Sequence, residues 1–288
     1  MGLSNAYEIK TPLITLKITI EEVKKLHIHE EIIPEILDWL VEKIKKDKFF
    51  KDPIIVDEKT LVVLDGMHRV AATEKLGFPY IPVCLVDYDN PNIKLGSWCR
   101  IIKKGPGNFD NILEIIKSLG FSLQEVQKDE IFDLLKERKA ISIATYGEKY
   151  ISIIYPEKDI KKIYDLIKKI EEKLKEEGYE IGYVTEDEAL SMASKKEVIA
   201  SLITPTVTKQ EVREVALRGE VFTHKTTRHV IPARPLNINI PLNWLTGEIP
   251  LEEARKKLVD LLSNKKIKRL PPGTVLDRKY EEELYVFE

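Results

Sequence analysis

The stretch LVVLDGMHRVAATEKLG, residues 61–77, contains the change of structure that decides the fold. An apolar run typical of a buried strand comes first, the pair Asp65-Gly66 predicts a tight turn, and the following residues predict a helix that Gly77 closes. A helix that begins directly after such a turn points its first N–H groups at the turn. The sequence therefore favours an anion at this position.

Arg69, on the first turn of this helix, adds a planar guanidinium that suits phosphate oxygens. The carboxylate of Asp65 would repel a phosphate unless a divalent cation lies between them, so the two residues predict a nucleotide with Mg²⁺, and Asp65 as the metal ligand. A turn aspartate that caps the helix and pairs with Arg69 would explain the same residues without a ligand. The sequence contains no Walker-type GxxxxGK loop, which excludes that class of nucleotide site.

Strand-like and helix-like patterns alternate along the 288 residues, which predicts a mixed α/β (α+β) fold. A single core seldom exceeds roughly 250 residues, so two domains are expected. The run KKGPGN at 103–108 is the best linker candidate, because two glycines flank a proline. The sequence thus predicts a first domain at 1–105, a second mixed α/β domain at 106–245 and a C-terminal extension at 246–288.

The composition narrows the classes of function. Lys and Arg number 46 and Asp and Glu 48, a formal charge of −2, which disfavours broad binding of nucleic acid. Charged residues make up 33% of the chain, as is typical of thermophile proteins. Cys84 and Cys99 lie in apolar runs and are expected to be buried, without a disulfide. The sequence shows no apolar leader and no membrane span, so we expect a cytoplasmic protein without membrane contact.

The five histidines fall in three short polar stretches: HIHEE at 27–31, DGMHR at 65–69 and THKTTRH at 223–229. Their spacing matches no closed Cys/His framework, so a structural zinc site is a weak alternative. Any one histidine could also be a solvated or core residue.

KTTRH, at 225–229, places an ammonium, two hydroxyls, a guanidinium and an imidazole in a proline-bounded loop, a density typical of binding sites. We expect Arg228 to bind a carboxylate in a bidentate fashion, and Thr226 and Thr227 to hold an amine or phosphate oxygens. The alternative is a cluster of caps and salt bridges on an exposed loop.

His29, Glu30 and Glu31 come at the start of a helix predicted at 31–47, where Pro34 marks the first turn. A carboxylate at a helix start usually complements the helix dipole. It can also be a general base, because a helix start is a rigid mount within reach of a hydroxyl.

PIIVD at 53–57, followed by LDGMHRVAATEKLG, resembles the ParB/sulfiredoxin superfamily, whose signature is a strand, a phosphate-cradling turn and a helix. Sulfiredoxins have a catalytic Cys at the position of Met67, ParB CTPases a Glu and free serine kinases a His. Without a thiol there, sulfiredoxin chemistry has no nucleophile. HEEIIPEILDWL at 29–40 and RGEVFTHKTTRHVIP at 218–232 resemble the free L-serine kinase branch, of the archaeal ATP- or ADP-dependent type. The resemblance extends from about residue 10 to residue 245.

The resemblance implies a kinase that converts free L-serine to O-phospho-L-serine, with an active-site cleft between the two domains. It implies Glu30 as general base and Asp65 as a catalytic residue that holds Mg²⁺. The nucleotide-binding residues would be Asp65, Gly66, Met67, His68 and Arg69. The substrate-binding residues would be Trp98, Lys225, Thr226, Thr227, Arg228 and His229. ATP is favoured as donor, and ADP is the other donor of this branch.

Two other functions stay open. A nucleotide-switched DNA-binding protein of the ParB type would follow its first domain with a helix-turn-helix region, and the strands predicted near 140–155 and 179–203 argue against one. A kinase for another small hydroxy amino acid, such as threonine or homoserine, would use the same mechanism.

Overall fold

The computed structural model describes residues 5–288, and the chain divides into two compact units. Unit 1 consists of the chain up to Lys94 together with Arg213–Glu220 and His229–Glu288. Unit 2 consists of Leu95–Val212 and Val221–Arg228.

The regular elements follow in chain order. The helices are α1 (Pro34–Asp47), α2 (Met67–Lys75), α3 (Phe109–Ser118), α4 (Ile131–Lys136), α5 (Ile160–Glu176), α6 (Glu186–Ser194), α7 (Lys209–Leu217) and α8 (Leu251–Ser263). The strands up to the middle of the chain are β1 (Tyr7–Lys10), β2 (Thr15–Glu22), β3 (Phe49–Phe50), β4 (Ile54–Asp57), β5 (Val63–Asp65), β6 (Tyr80–Val86), β7 (Lys94–Ser97), β8 (Cys99–Lys104) and β9 (Ser122–Glu125). The later strands are β10 (Ser142–Tyr146), β11 (Lys149–Ile154), β12 (Glu180–Val184), β13 (Ala200–Ile203), β14 (Thr227–Val230), β15 (Ala233–Leu236), β16 (Ile240–Pro241), β17 (Ile267–Leu270) and β18 (Glu283–Phe287).

A mixed sheet in the order β1-β2-β6-β4-β5 forms the centre of unit 1. β4 runs antiparallel to β5 and parallel to β6, so the chain turns at DGMHR and crosses over through α2 before it enters β6. Ile54, Ile55 and Val56 of β4 are completely buried, as expected for a strand covered on both faces. α2 packs against β4 and β6, and α1 packs against α2. This topology confirms the strand, turn and helix predicted from residues 61–77.

An antiparallel sheet in the order β12-β8-β13-β10-β11-β9 forms the centre of unit 2. The strands predicted near 140–155 are present as the hairpin of β10 and β11, which turns at Gly147 with φ +61°. The strands predicted near 179–203 are present as β12 and β13. α5 packs against β12, because its apolar side chains recur every three or four residues and are buried.

The domain boundaries predicted from sequence were wrong in two places. The run 103–108 does not join the units, because Cys99–Lys104 is a strand between β12 and β13 in the sheet of unit 2, and the chain enters unit 2 after Lys94. The segment 246–288 is not an appended extension, because α8 packs against β2 and β18 pairs in parallel with β15. A Gly-Pro-Gly composition marks a turn, but long-range strand pairing decides to which unit a segment belongs.

Cys84 and Cys99 are both buried and both free, as predicted. Burial raises the pKa of the Cys84 thiol to about 12 and that of Cys99 to about 11, which keeps both thiols protonated. Of the helices in residues 5–288, none combines the length and the apolar character needed to cross a membrane.

Candidate active site

The DGMHR turn of unit 1 is built around a glycine that no other residue could replace without strain. Gly66 is the N-cap of α2 with φ +100°, and a Cβ there would lie 2.5 Å from Ile54 Cγ2 and 2.7 Å from Arg69 Nη2. Gly66 supplies no capping side chain, and its carbonyl accepts from the backbone N–H of Arg69 and of Val70. The start of α2 therefore has the backbone form expected of an anion site.

Asp65 does not cap α2, so the predicted alternative of a helix cap is wrong, whereas its second part, the pairing of Asp65 with Arg69, is confirmed. Its Oδ2 atom lies 3.0 Å from Arg69 Nη2 and 2.6 Å from Arg234 Nη1. Desolvation acts to raise the pKa of Asp65, but the guanidinium groups of Arg234 and Arg69 outweigh it and hold this pKa well below its usual range. Asp65 is therefore a carboxylate at any physiological pH, and 40% of its side chain remains exposed.

Arg234 is a residue of this site that sequence reasoning missed. It lies at the start of β15, and its side chain is only 13% exposed. It lies just beyond the KTTRH stretch, where nothing but its proximity to a proline-bounded polar loop could have singled it out.

The side chains of this site could hold Mg²⁺ only together with a nucleotide, whose phosphate oxygens would supply the other ligands of the ion. Among residues 5–288 no group of three or more His, Cys, Asp or Glu side chains is arranged to hold a metal. Mg²⁺ is commonly held by one or two carboxylates together with substrate phosphates. Both arginine contacts of Asp65 involve Oδ2, so Oδ1 is the atom that Asp65 could offer to the ion.

Residues 27–33 run along β5 and bring the HIHEE stretch beside the DGMHR turn. Val63 N–H donates to His27 O, His29 Nδ1–H donates to Val63 O at 2.8 Å, and Ile33 N–H donates to His68 Nε2 at 2.9 Å. A carbonyl can only accept, so the Nδ1 atom of His29 carries the proton. Burial lowers the pKa of His29 to about 4, so its ring is neutral at pH 7.

Glu30 lies between these two anchors and is 7% exposed. α1 begins only at Pro34, with Ile33 as its N-cap, so the prediction that Glu30 and Glu31 stand at a helix start was wrong. The proline and the extended backbone of Ile33 delay the helix. The helix dipole, which acts within the first turn, therefore does not explain Glu30.

His68 was predicted to bind the nucleotide phosphates together with Arg69. Its Nε2 atom instead accepts the Ile33 N–H and so holds the entry to α1 against the start of α2. In this arrangement any role of His68 toward a phosphate does not involve Nε2.

His229 joins the same part of unit 1. Its ring lies 5.3 Å from the ring of His29, and its Nε2 atom lies 2.7 Å from the hydroxyl of Tyr88. Tyr88 in turn carries the guanidinium of Arg213 over its ring at 5.1 Å, and Arg213 Nε donates to the buried Asp57 at 3.0 Å. Sequence reasoning missed Tyr88 and Arg213, because neither belongs to one of the three stretches that contain the histidines.

The remaining predicted substrate residues belong to unit 2, so the boundary between the units falls inside KTTRH. Lys225 Nζ lies 4.9 Å and Arg228 Cζ 5.7 Å from the centre of the Trp98 ring, which places an ammonium and a guanidinium on one indole. Thr226 is fully buried and its hydroxyl donates to Thr223 O at 2.8 Å. Its side chain thus stabilises the loop, contrary to the predicted contact with a ligand.

A buried ion pair in unit 2, between Arg100 and Glu171, is hydrogen-bonded to the backbone of Lys225. Arg100 is fully buried, its Nε atom lies 2.5 Å from Glu171 Oε1, and its Nη1 atom donates to Trp98 O at 2.7 Å and to Lys225 O at 3.2 Å. Tyr183 OH donates to the other oxygen of Glu171 at 2.7 Å. The pair fixes the backbone of Lys225, which has φ +61°. An arginine within an apolar strand was the only sequence signal for it.

Comparisons with known proteins bear on the site as a whole. No family model matches the chain. The chain is 36% identical over 237 residues to an ATP-dependent L-serine kinase of Staphylothermus marinus, across 78% of this chain and 89% of that one. It is 29% identical over 252 residues to the ADP-dependent L-serine kinase SerK of Thermococcus kodakarensis, across 85% of this chain and 100% of that one. Among solved structures, a free serine kinase in complex with AMP matches with a TM-score of 0.64 and 27% identity, across 83% of this chain and 97% of that one.

Proposed function

The chain belongs to the family of nucleotide-dependent L-serine kinases, and we propose that it transfers a phosphoryl group from a nucleotide to the hydroxyl of free L-serine. The product is O-phospho-L-serine. The observation that carries this proposal is the place of Glu30, buried between two anchors that hold it beside the DGMHR turn. A carboxylate beside an anion site is the pair of groups that phosphoryl transfer to an alcohol requires.

The nucleotide phosphates would bind at the start of α2, where backbone N–H groups and Arg69 face the turn. Asp65, ionised by its two arginines, would hold Mg²⁺ through Oδ1. The ion, when bound, neutralises the charge of the phosphates. Because Arg69 and Arg234 are fixed by Asp65 before any ligand arrives, the site stabilises developing charge without reorganising.

Glu30 would accept the proton of the serine hydroxyl as that oxygen attacks the phosphorus. His29, which is neutral and donates to Val63 O, keeps the segment of Glu30 in place. Arg228 would bind the carboxylate of serine, with Trp98 as the wall of the substrate site and Lys225 as a second cation. That these residues serve the same reaction as Glu30 is part of the proposal, and the family resemblance of KTTRH supports it.

We favour ATP as the donor, because the Staphylothermus relative at 36% identity is ATP-dependent and the Thermococcus relative at 29% is ADP-dependent. Met67 supports the same choice only indirectly, since it replaces a histidine of the family pattern and alters the phosphate cradle.

A matrix of donors and acceptors tests the proposal. ADP, ATP and CTP are each combined with serine, threonine and homoserine, with and without Mg²⁺, and the phosphorylated amino acid is measured. Phosphoserine from ATP with Mg²⁺ is the expected result. Phosphothreonine or phosphohomoserine as the main product would show that the amino-acid substrate is threonine or homoserine. Nucleotide binding without any phosphorylated amino acid would favour a ParB-like switch.

A further inference from the structure

Arg234 contacts two carboxylates of unit 1, Asp65 and Glu282, that are far apart in the sequence. Its Nη1 atom lies 2.6 Å from Asp65 Oδ2, and its Nε atom lies 2.7 Å from Glu282 Oε1. The Glu282 side chain is 10% exposed, so water screens this ion pair little. Asp65, Arg234 and Glu282 thus form one chain of charge-assisted hydrogen bonds that ends at the DGMHR turn.

The backbone next to Glu282 is anchored to β15 by strand pairing and a hydrogen bond. β18 begins at the next residue and pairs in parallel with β15, with Ala233 opposite Glu283 and Arg234 opposite Leu284. Glu283 N–H donates to Pro232 O at 3.1 Å.

A small apolar cluster covers the same segment. Leu284 and Val286 pack there with Leu236 and Tyr280. Glu282 therefore approaches Arg234 from a packed strand start rather than from a loose tail.

The segment that carries Glu282 lies beyond residues 10–245, the range over which we expect the sequence to resemble the family. The Thermococcus relative is matched over its whole length by 85% of this chain, so this chain has residues without a counterpart in that relative.

We infer that Glu282 is a positioning residue of the nucleotide site, through which the C-terminal segment sets the orientation of Arg234 and so of Asp65. Without Glu282, the Nε donor of Arg234 would lose its partner in a largely buried place, and the guanidinium would turn to find another acceptor. Asp65 would then lose one of the two contacts that direct its Oδ1 atom. The inference rests on the proposed function, because it assigns the effect to nucleotide binding at the DGMHR turn.

The test compares Glu282→Gln and Glu282→Ala with Glu283→Gln. Glu283 is the matched control, because it is the next residue in the chain, the first of β18, and its carboxylate pairs with the exposed Arg269 rather than with Arg234. ADP binding is measured by calorimetry, the KM values for nucleotide and serine by kinetics, and folding by thermal unfolding.

We expect Glu282→Ala to weaken ADP binding by about tenfold, Glu282→Gln by less because its amide oxygen still accepts, and Glu283→Gln to leave it unchanged. The nucleotide KM should rise with the dissociation constant while the serine KM changes less than twofold. ADP binding as tight as in the unchanged protein, or equal losses in the Glu282 and Glu283 variants, would overturn the inference. A failure of both Glu282 variants to fold would assign Glu282 to stability alone and overturn it as well.

The binding measurement also separates this inference from the proposed function. If the unchanged protein bound ADP but did not phosphorylate serine, the proposed function would fail while the comparison of Glu282 with Glu283 would still decide the role of Glu282.

Discussion

His29 and His229 lie with their ring centres 5.3 Å apart in unit 1, although they belong to two polar stretches at opposite ends of the sequence. The Tyr88 hydroxyl, 2.7 Å from His229 Nε2, adds a third member to this contact. His29 precedes Glu30, and His229 ends the KTTRH stretch. The contact therefore links the residue before the proposed catalytic base to the last residue of the KTTRH stretch.

Glu30→Gln is expected to lower kcat by roughly 10²–10⁴, because the amide keeps the size of the side chain but cannot accept the serine proton. ADP and serine should still bind, as followed by calorimetry. Glu31→Gln is the control, since no chemistry is assigned to the neighbouring carboxylate, and it should turn over normally. Normal turnover by the Glu30 variant, or an inactive Glu31 variant, would show that the base is assigned wrongly.

Gly66→Ala is expected to cost about 1–3 kcal/mol of the free energy of unfolding and to weaken nucleotide binding, because the new Cβ would displace Ile54 and Arg69. Gly77→Ala is the matched control at the other end of α2: its φ is also positive, at +73°, but no atom lies within 4 Å of the added Cβ. Urea unfolding and ADP calorimetry of both variants measure the difference. Equal nucleotide affinity in the two variants would contradict a role of the Gly66 turn in phosphate binding.

Asp65→Asn is expected to lower Mg²⁺-dependent turnover by about tenfold or more, because a neutral amide is a poor ligand for a hard dication and leaves two arginines without their carboxylate. The measurement is kcat across a Mg²⁺ titration. Asp38→Asn, which removes an exposed carboxylate paired with Lys75, serves as the control. An Asp65 variant whose titration curve matches that of the unchanged protein would leave Asp65 without a metal role.

Arg228→Lys is expected to raise the serine KM by about tenfold and to leave the nucleotide KM nearly unchanged, because lysine keeps the charge but loses the bidentate geometry. Steady-state kinetics with each substrate varied in turn distinguish the two KM values. Arg218→Lys, at an exposed arginine paired with Glu220, should change neither. A rise in the nucleotide KM instead would reassign Arg228 to the phosphates.

His29 is expected to make the protein less stable as the pH falls from about 6.5 to about 4. The folded protein keeps His29 neutral down to a pKa of about 4, whereas the unfolded chain protonates it near 6.5, so unfolding takes up a proton between these values. The loss amounts to about 3 kcal/mol across this window. Urea unfolding from pH 4 to pH 7.5 should show a smaller loss in His29→Asn, and parallel curves would mean that His29 titrates normally.

The strand, turn and helix around Gly66 could be predicted from the sequence, because they depend on residues that are neighbours in the chain. The anion site at α2 and Glu30 as the base stay predictions. The start of α1 could not be predicted, since the helical spacing of apolar residues extends to Ile32 and Ile33 while the backbone stays extended up to Pro34. The side chain of Thr226 was assigned to a ligand, because a sequence cannot reveal that a hydroxyl is buried against Thr223 O.

The sequence by itself determined which short segments turn, which form strands or helices, and which polar stretches belong to the family pattern, because backbone preferences and hydrophobic periodicity are local properties. Only the tertiary structure decided that Arg234, 169 positions beyond Asp65, shares its carboxylate with Arg69, and that Glu282 holds Arg234 from the other side. Those partners meet because β15 and β18 pair in unit 1. The order of strands in a sheet is a global property, which no local stretch of the chain encodes.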